Sequence, residues 1–170
     1  MPADNSRKCA YIREERELTL TGAGFWELLR AVVDRGASLR FQASGCSMFP
    51  FIKNGDVLTV SPLDSASLQR GDVVAFSRPE TGKLVVHRIV GKRDGLFLIK
   101  GDNAPEADGL VAKAGIAGLV TRVERNGKGV NFGLGRERFL IAYCSHRDIL
   151  MPLFRYASRI ARPVVRRGAA

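Results

Sequence analysis

The sequence has no long apolar run. Its longest stretch without a charged residue, Phe41 to Ile52, spans 12 residues, short of the roughly 20 that a membrane-spanning helix needs. Met1 to Arg16 is polar and charged and lacks the apolar segment of a secretory signal. These residues predict neither a spanning helix nor an export signal of the usual kind, and place the protein in the cytoplasm or at the periphery of a membrane. Cysteine and histidine are scarce. Cys9, Cys46 and Cys144 are an odd number with no Cys-x-x-Cys pair, and His87 and His146 stand far apart. That pattern indicates neither a disulfide framework nor a metal site, and no cofactor is expected. Three thiols fit a reducing compartment.

What is present is the composition of one ordinary domain. The chain has 170 residues, of which 45% are hydrophobic, and a chain of that size buries about 70% of its unfolded surface without needing a staple. The net charge of +10, from 27 basic and 17 acidic residues, suggests a nucleic-acid or membrane-surface partner. Its distribution qualifies that reading. Residues 136–170 hold eight arginines against Glu137 and Asp148, a net +6, so the first 135 residues carry only +4.

Three regions follow. Residues 1–17 are polar and expected to be flexible. Residues 18–132 form the main body. It opens with a helix over Gly22 to Arg35, with Phe25, Leu28, Leu29, Val32 and Val33 at helical spacing, Thr21 as N-cap and Gly36 as the stop. The pattern then changes to short β-branched runs between Gly, Asn, Asp and Pro. Strands are expected near Ser38–Ala43, Val57–Ser61, Asp72–Ser77, Leu84–Val90, Leu96–Lys100 and Gly118–Glu124, the last turning at Asn126-Gly127 into Val130–Phe132. Residues 133–170 form a Gly-hinged tail. There Phe139, Tyr143, His146, Leu150, Leu153, Ala157, Ile160 and Val164 mark one helix face, beside a stripe of Arg155, Arg159, Arg162 and Arg166, with a break or restart at Pro152. The expected fold is mainly β, an antiparallel body with one leading helix and a C-terminal amphipathic basic helix.

The stretch Ser44-Gly45-Cys46-Ser47-Met48-Phe49-Pro50 ends a strand with small residues around a serine. Such a turn can present a hydroxyl and a backbone N–H to a cleft. A serine hydroxyl is a weak nucleophile at neutral pH, so it needs a base within hydrogen-bond reach and a third group to hold that base. The body offers one histidine, His87, in Val85-Val86-His87-Arg88-Ile89, and an acidic segment from Gly101-Asp102-Asn103 to Asp108. Cys46, beside Ser47, is expected to point to the opposite side of an extended segment.

Four motifs in order carry a resemblance: Ser47-Met48-Phe49-Pro50 followed by Gly55-Asp56, then Gly71-Asp72-Val73-Val74, then His87 on a long strand, then Gly101-Asp102-Asn103 with Asp108 six positions after Asp102. Over about Phe41 to Arg122 the chain resembles the type I signal peptidases, and Val86-His87-Arg88-Ile89 is similar to the histidine subgroup of archaeal, sporulation-type and endoplasmic-reticulum enzymes. The resemblance implies a signal peptidase/LexA-like β fold, with Ser47 as nucleophile, His87 as general base, Asp108 orienting the imidazole and Asp102 a supporting acid. It further implies endoproteolysis of a peptide or protein substrate after small residues, through an acyl-enzyme. The sequence departs from the family at Gly45, where many members carry a hydroxyl that helps bind the oxyanion, and in having no hydrophobic N-terminal anchor. Two other readings stand beside it: a LexA-like self-cleaving regulator, and an inactive β scaffold. For the basic tail, docking on the body and binding to an anionic membrane surface both fit the pattern. Nucleic acid is disfavoured because no helix-turn-helix, RNA-recognition or zinc-finger pattern accompanies the charge.

Overall fold

The computed structural model describes residues 22–63, 68–78, 80–154 and 156. The expected flexible segment 1–17, the Thr21 cap and the tail positions Arg155, Ala157, Arg159, Ile160, Arg162, Val164 and Arg166 lie outside them.

The leading helix α1 is Gly22–Val33. Gly36 ends it: at φ +76° its N–H bonds Val33 O at 2.9 Å, while the Ala37 N–H reaches back to Val32 O at 3.2 Å. This paired closure satisfies the last carbonyls and needs a left-handed residue, the conformation glycine adopts without penalty. Leu29 and Val33 are buried, and Trp26 packs against the same core. Leu28, expected on that face, is exposed.

One antiparallel sheet forms the body, built from β1 (Leu39–Gln42), β2 (Val57–Ser61), β3 (Val73–Ser77), β4 (Leu84–Arg93), β5 (Leu96–Lys100), β6 (Ala107–Val111), β7 (Ile116–Arg125) and β8 (Lys128–Gly129). Its order is β1-β2-β7-β3-β4-β5-β6, with β8 hairpinned to β7. The unbroken apolar run of β3 reflects burial on both faces. Val73 and Ala75 point into a core shared with α1, β1, β2 and Met48, whereas Val74 and Phe76 point into a second core with Ile89, Phe97 and Ile99.

Bulges curl the sheet. Registers shift between Thr59 and Val60, between Ala75 and Phe76, between Ile89 and Gly91, and between Ile99 and Lys100. Each inserts a residue, bends the strand and increases its twist. At the β7 crossing a Cβ on Gly118 would lie 2.5 Å from Ser61 O and 2.7 Å from Val60 Cγ1, so the strands meet there only because no side chain intervenes.

Three expectations change. Strand β6 was not anticipated, because Asp108-Gly109 reads as a turn. The partner of β7 is Lys128–Gly129 rather than Val130–Phe132, since the tight turn at Asn126 (φ 51°) and Gly127 (φ 73°) places the return strand immediately after it. In the tail, α2 spans Arg138–His146 and buries Ile141, Ala142, Cys144 and Ser145, leaving Phe139 and Tyr143 exposed. Smaller side chains win the inner face because Ile141 and Cys144 fit against Phe51 and Leu150. The break falls at Arg147–Ile149 and helical backbone resumes at Leu150, which puts Pro152 in a first turn, where its missing N–H costs nothing.

Gly118→Ala is expected to lower stability by about 1–3 kcal/mol through overpacking at the crossing, measured as a fall in the urea midpoint at unchanged slope.

Candidate active site

The loop from Ala43 to Asp56 is closed at its base by Ala43 N–H to Asp56 O (2.7 Å) and Gly55 N–H to Ala43 O (2.8 Å). Asp56, buried, organises its far end: it accepts the Lys53 N–H at 2.8 Å and Arg125 through Nε and Nη2 at 2.8 and 2.7 Å. Burial pushes the Asp56 carboxyl up, but the Arg125 and Lys53 hydrogen bonds and charges more than offset this and hold it below its ordinary value. Met48 and Ile52 anchor the loop in the core. Asn103 braces it from the other side, its N–H on Ser47 O at 2.7 Å and its Nδ2 on Cys46 O at 3.2 Å. Ser47 is thereby held on a fixed backbone with its side chain exposed.

On β4, His87 is 2% exposed. Its Nε2 lies 2.8 Å from Ser47 Oγ and its Nδ1 2.5 Å from Asp108 Oδ2. Asp108 reaches the ring because of the β6 bulge. Ile99 pairs with Gly109 and Lys100 with Ala107, so Asp108 is the extra residue, and Gly109, at φ +98°, completes the kink. Bulges beside functional sites re-aim side chains in this way. The other carboxylate oxygen, Oδ1, accepts Arg78 Nε at 3.0 Å and Nη2 at 2.6 Å. Burial raises the Asp108 carboxyl, yet the hydrogen bond and charge of His87, followed by those of Arg78, bring it below 3.8. Its contribution to stability is thus present above the ordinary carboxylate range and lost as pH falls through the lowered value. With Asp108 ionised, Nδ1 carries the imidazole proton and Nε2 is left to accept from the Ser47 hydroxyl.

Gly101 makes this approach sterically feasible. A Cβ there would sit 2.8 Å from Ser47 O and 2.9 Å from His87 Nε2. The neighbouring buried base, Lys100, is directed to Asp148, so it is not aimed at Ser47. A cleft of about 590 Å³ opens in front of the serine, lined by Phe41, Ser44, Gly45, Ser47, Arg78, Val86 and His87 among others; Cys46 is not among the lining residues.

Asp102, expected as a supporting acid, meets neither Ser47 nor His87. It is buried with both oxygens on Arg88, through Nε at 2.8 Å and Nη2 at 2.7 Å. The remaining Arg88 nitrogen donates to Gly71 O at 2.9 Å and Gly133 O at 2.8 Å. The sequence thus brings Ser47, His87 and Asp108 together and sets Asp102 behind them. Arg78 escaped sequence reasoning, since a charge between Ser77 and Pro79 reads as a solvated turn. The approach at Gly101 has no signature beyond the Gly-Asp-Asn motif.

Arg88→Ala leaves Asp102 buried without its counter-charge and is expected to cost about 3–5 kcal/mol, whereas Arg88→Met with Asp102→Leu recovers much of that loss. Denaturant unfolding of the single and double variants measures both.

Residues 13–120 match the family described as Peptidase S24-like, which comprises peptidase and LexA-like folds. No curated protein matches the chain. No helix among the described residues is long and apolar enough to cross a membrane. The match covers more than half of the chain and contains Ser47, His87, Asp102 and Asp108, so the chain belongs to the Peptidase S24-like family.

Proposed function

We propose that the protein is a serine endopeptidase of signal peptidase type, with Ser47 as nucleophile, His87 as general base and Asp108 orienting the imidazole. The observation that carries this reading is the continuous chain from Ser47 Oγ through both ring nitrogens of His87 to Asp108 Oδ2, at 2.8 and 2.5 Å. Those separations suit proton transfer and tautomer control.

In this reading Ser47 Oγ attacks the scissile carbonyl carbon as its proton passes to His87 Nε2, and Asp108 stabilises the imidazolium. The tetrahedral adduct collapses, the C–N bond breaks, and the leaving amine takes the proton from Nε2. Water, deprotonated by the same nitrogen, then hydrolyses the acyl ester and frees Ser47. The oxyanion rests on the Ser47 N–H, which bonds no acceptor among the described residues, with the Ser44 hydroxyl, on the cleft wall, as second donor. Gly45 supplies none, and its φ of +96° opposes the β-carbon that a hydroxyl residue would bring there.

The substrate enters as an extended strand. Pairing of β4 with β5 begins only at Arg88 and Lys100, so the edge of β4 over Leu84–His87 has no strand on that side among the described residues. The outer edge of β1 is also without a strand partner among the described residues, and both edges line the cleft. Main-chain pairing to such edges gives affinity. The preference for small residues before the scissile bond follows from the resemblance to signal peptidases.

The test is hydrolysis of peptides carrying small residues at the cleavage point, followed by mass spectrometry beside Ser47→Ala and His87→Ala. Wild-type cleavage is expected, with each variant reduced by at least about 10³-fold. Equal cleavage by Ser47→Ala would overturn the proposal; no cleavage of any peptide or of the chain itself would favour the inactive scaffold. Loss of mass from the wild-type chain alone, absent in Ser47→Ala, would make it the self-cleaving regulator. Gly101→Ala is expected to lower kcat by about 10²-fold with the fold retained, because an added methyl displaces the His87 ring; circular dichroism beside single-turnover rates checks this.

A further inference from the structure

The described residues expose ten large apolar side chains, and seven of them fall within residues 139–156: Phe139, Leu140, Tyr143, Ile149, Leu153, Phe154 and Tyr156. The other three, Leu28, Leu110 and Phe132, belong to separate parts of the body. This concentration coincides with the basic part of the chain. Arg138 lies 5.0 Å from the Phe139 ring, and Tyr143 has Arg147 at 5.6 Å and Arg70 at 5.5 Å. The two acids of the region both have partners within the protein, Asp148 while remaining exposed itself. Glu137 accepts the Gly133 and Gly135 N–H groups at 2.6 and 3.0 Å, and Asp148 holds Lys100. The chain then continues through 157–170 with Arg159, Arg162, Arg166 and Arg167 and no acid.

We propose that the described residues of 138–156 form a surface that docks in the plane of an anionic lipid bilayer. Aromatic and leucine side chains immersed at the headgroup level, with guanidinium groups beside them, are the composition that an interfacial segment requires. Charge complementarity selects this occupant over a neutral apolar partner: Arg138 is paired with Asp72, but Arg70 and Arg147 have no ion-pair partner among the described residues, and the sequence beyond 156 adds four arginines and no acid. The surface also adjoins the serine loop: Phe154 meets the ring of Phe49 edge-on at 5.5 Å, two residues from Ser47. Docking therefore holds that loop near the lipid boundary. The inference does not depend on the peptidase reading.

Co-sedimentation of the full chain, carrying Ser47→Ala, with vesicles of equal parts phosphatidylglycerol and phosphatidylcholine tests it. Binding is expected, weaker by at least about tenfold on pure phosphatidylcholine and weakened by added salt as surface electrostatics are screened. Leu140→Asp with Leu153→Asp, both at exposed positions, is expected to reduce binding by a similar factor while the thermal midpoint stays unchanged. Failure of the parent protein to bind, equal binding to neutral vesicles, or undiminished binding by the double variant would each overturn the proposal. So would tighter binding to a mixed-sequence DNA duplex that survives the leucine changes.

Discussion

The buried pair of Arg88 and Asp102 is the constraint on which the rest of the active-site architecture depends. Both side chains are fully excluded from water, and an ion pair in that setting is stable only when every donor finds an acceptor. Arg88 meets this condition by drawing four segments together: its own strand β4, the Gly101–Asn103 loop, the turn at Gly71 and the turn at Gly133. Two of those contacts are crowded enough to exclude a side chain. A Cβ on Gly71 would lie 2.9 Å from the Arg138 backbone, and one on Gly133 3.0 Å from Phe51 Cβ. The neighbour of Arg88 in sequence is His87, and the neighbours of Asp102 are Gly101 and Asn103, which respectively clear and brace the serine loop. Relative placement of His87 and Ser47 is thus set through the residues adjoining this pair, in a region that water does not reach.

The same logic recurs with a division of labour. Asp56 binds Arg125, Asp102 binds Arg88 and Asp108 binds Arg78. Asp56 and Asp102 direct both oxygens to their arginines, Asp56 also accepting the Lys53 N–H, and act as fixed posts for loops. Asp108 gives one oxygen to Arg78 and keeps the other for His87. The arginine holds the carboxylate plane in place and adds to the effect of His87 in keeping it ionised, without occupying the atom that faces the ring.

Much of this arrangement could be read from the residues, and the misses have physical causes. Alternation and β-branching located β2 and β5 at their observed bounds, and Asn126-Gly127 marked the hairpin, because those signals are local. Asp108-Gly109 misled for the opposite reason. Its turn chemistry is genuine, but it is used within a strand to make a bulge, and only the partner strand reveals that. In the tail the expected helical spacing meets a helix over Arg138–His146, but the buried face differs, since Phe139 and Tyr143 outweigh Ile141 and Cys144 in hydrophobicity and the choice is made by the space beside Phe51. Motif order singles out Ser47, His87 and Asp108, which the structure brings together, but it does not point to Arg78 or Gly101. Those two act through distances that sequence spacing does not encode.

The bulge in β6 has an implication for how such a site can be lost. Asp108 has no counterpart across the ladder, because Ile99 and Lys100 pair with the residues on either side of it. Deleting that one residue would join Ala107 to Gly109 in regular register, so the strand would become more uniform as the acid disappeared. Point substitution is therefore not the only path to a relative without this acid but with an intact sheet. A chain one residue shorter between Lys100 and Val111 would carry the mark of that history in its length alone.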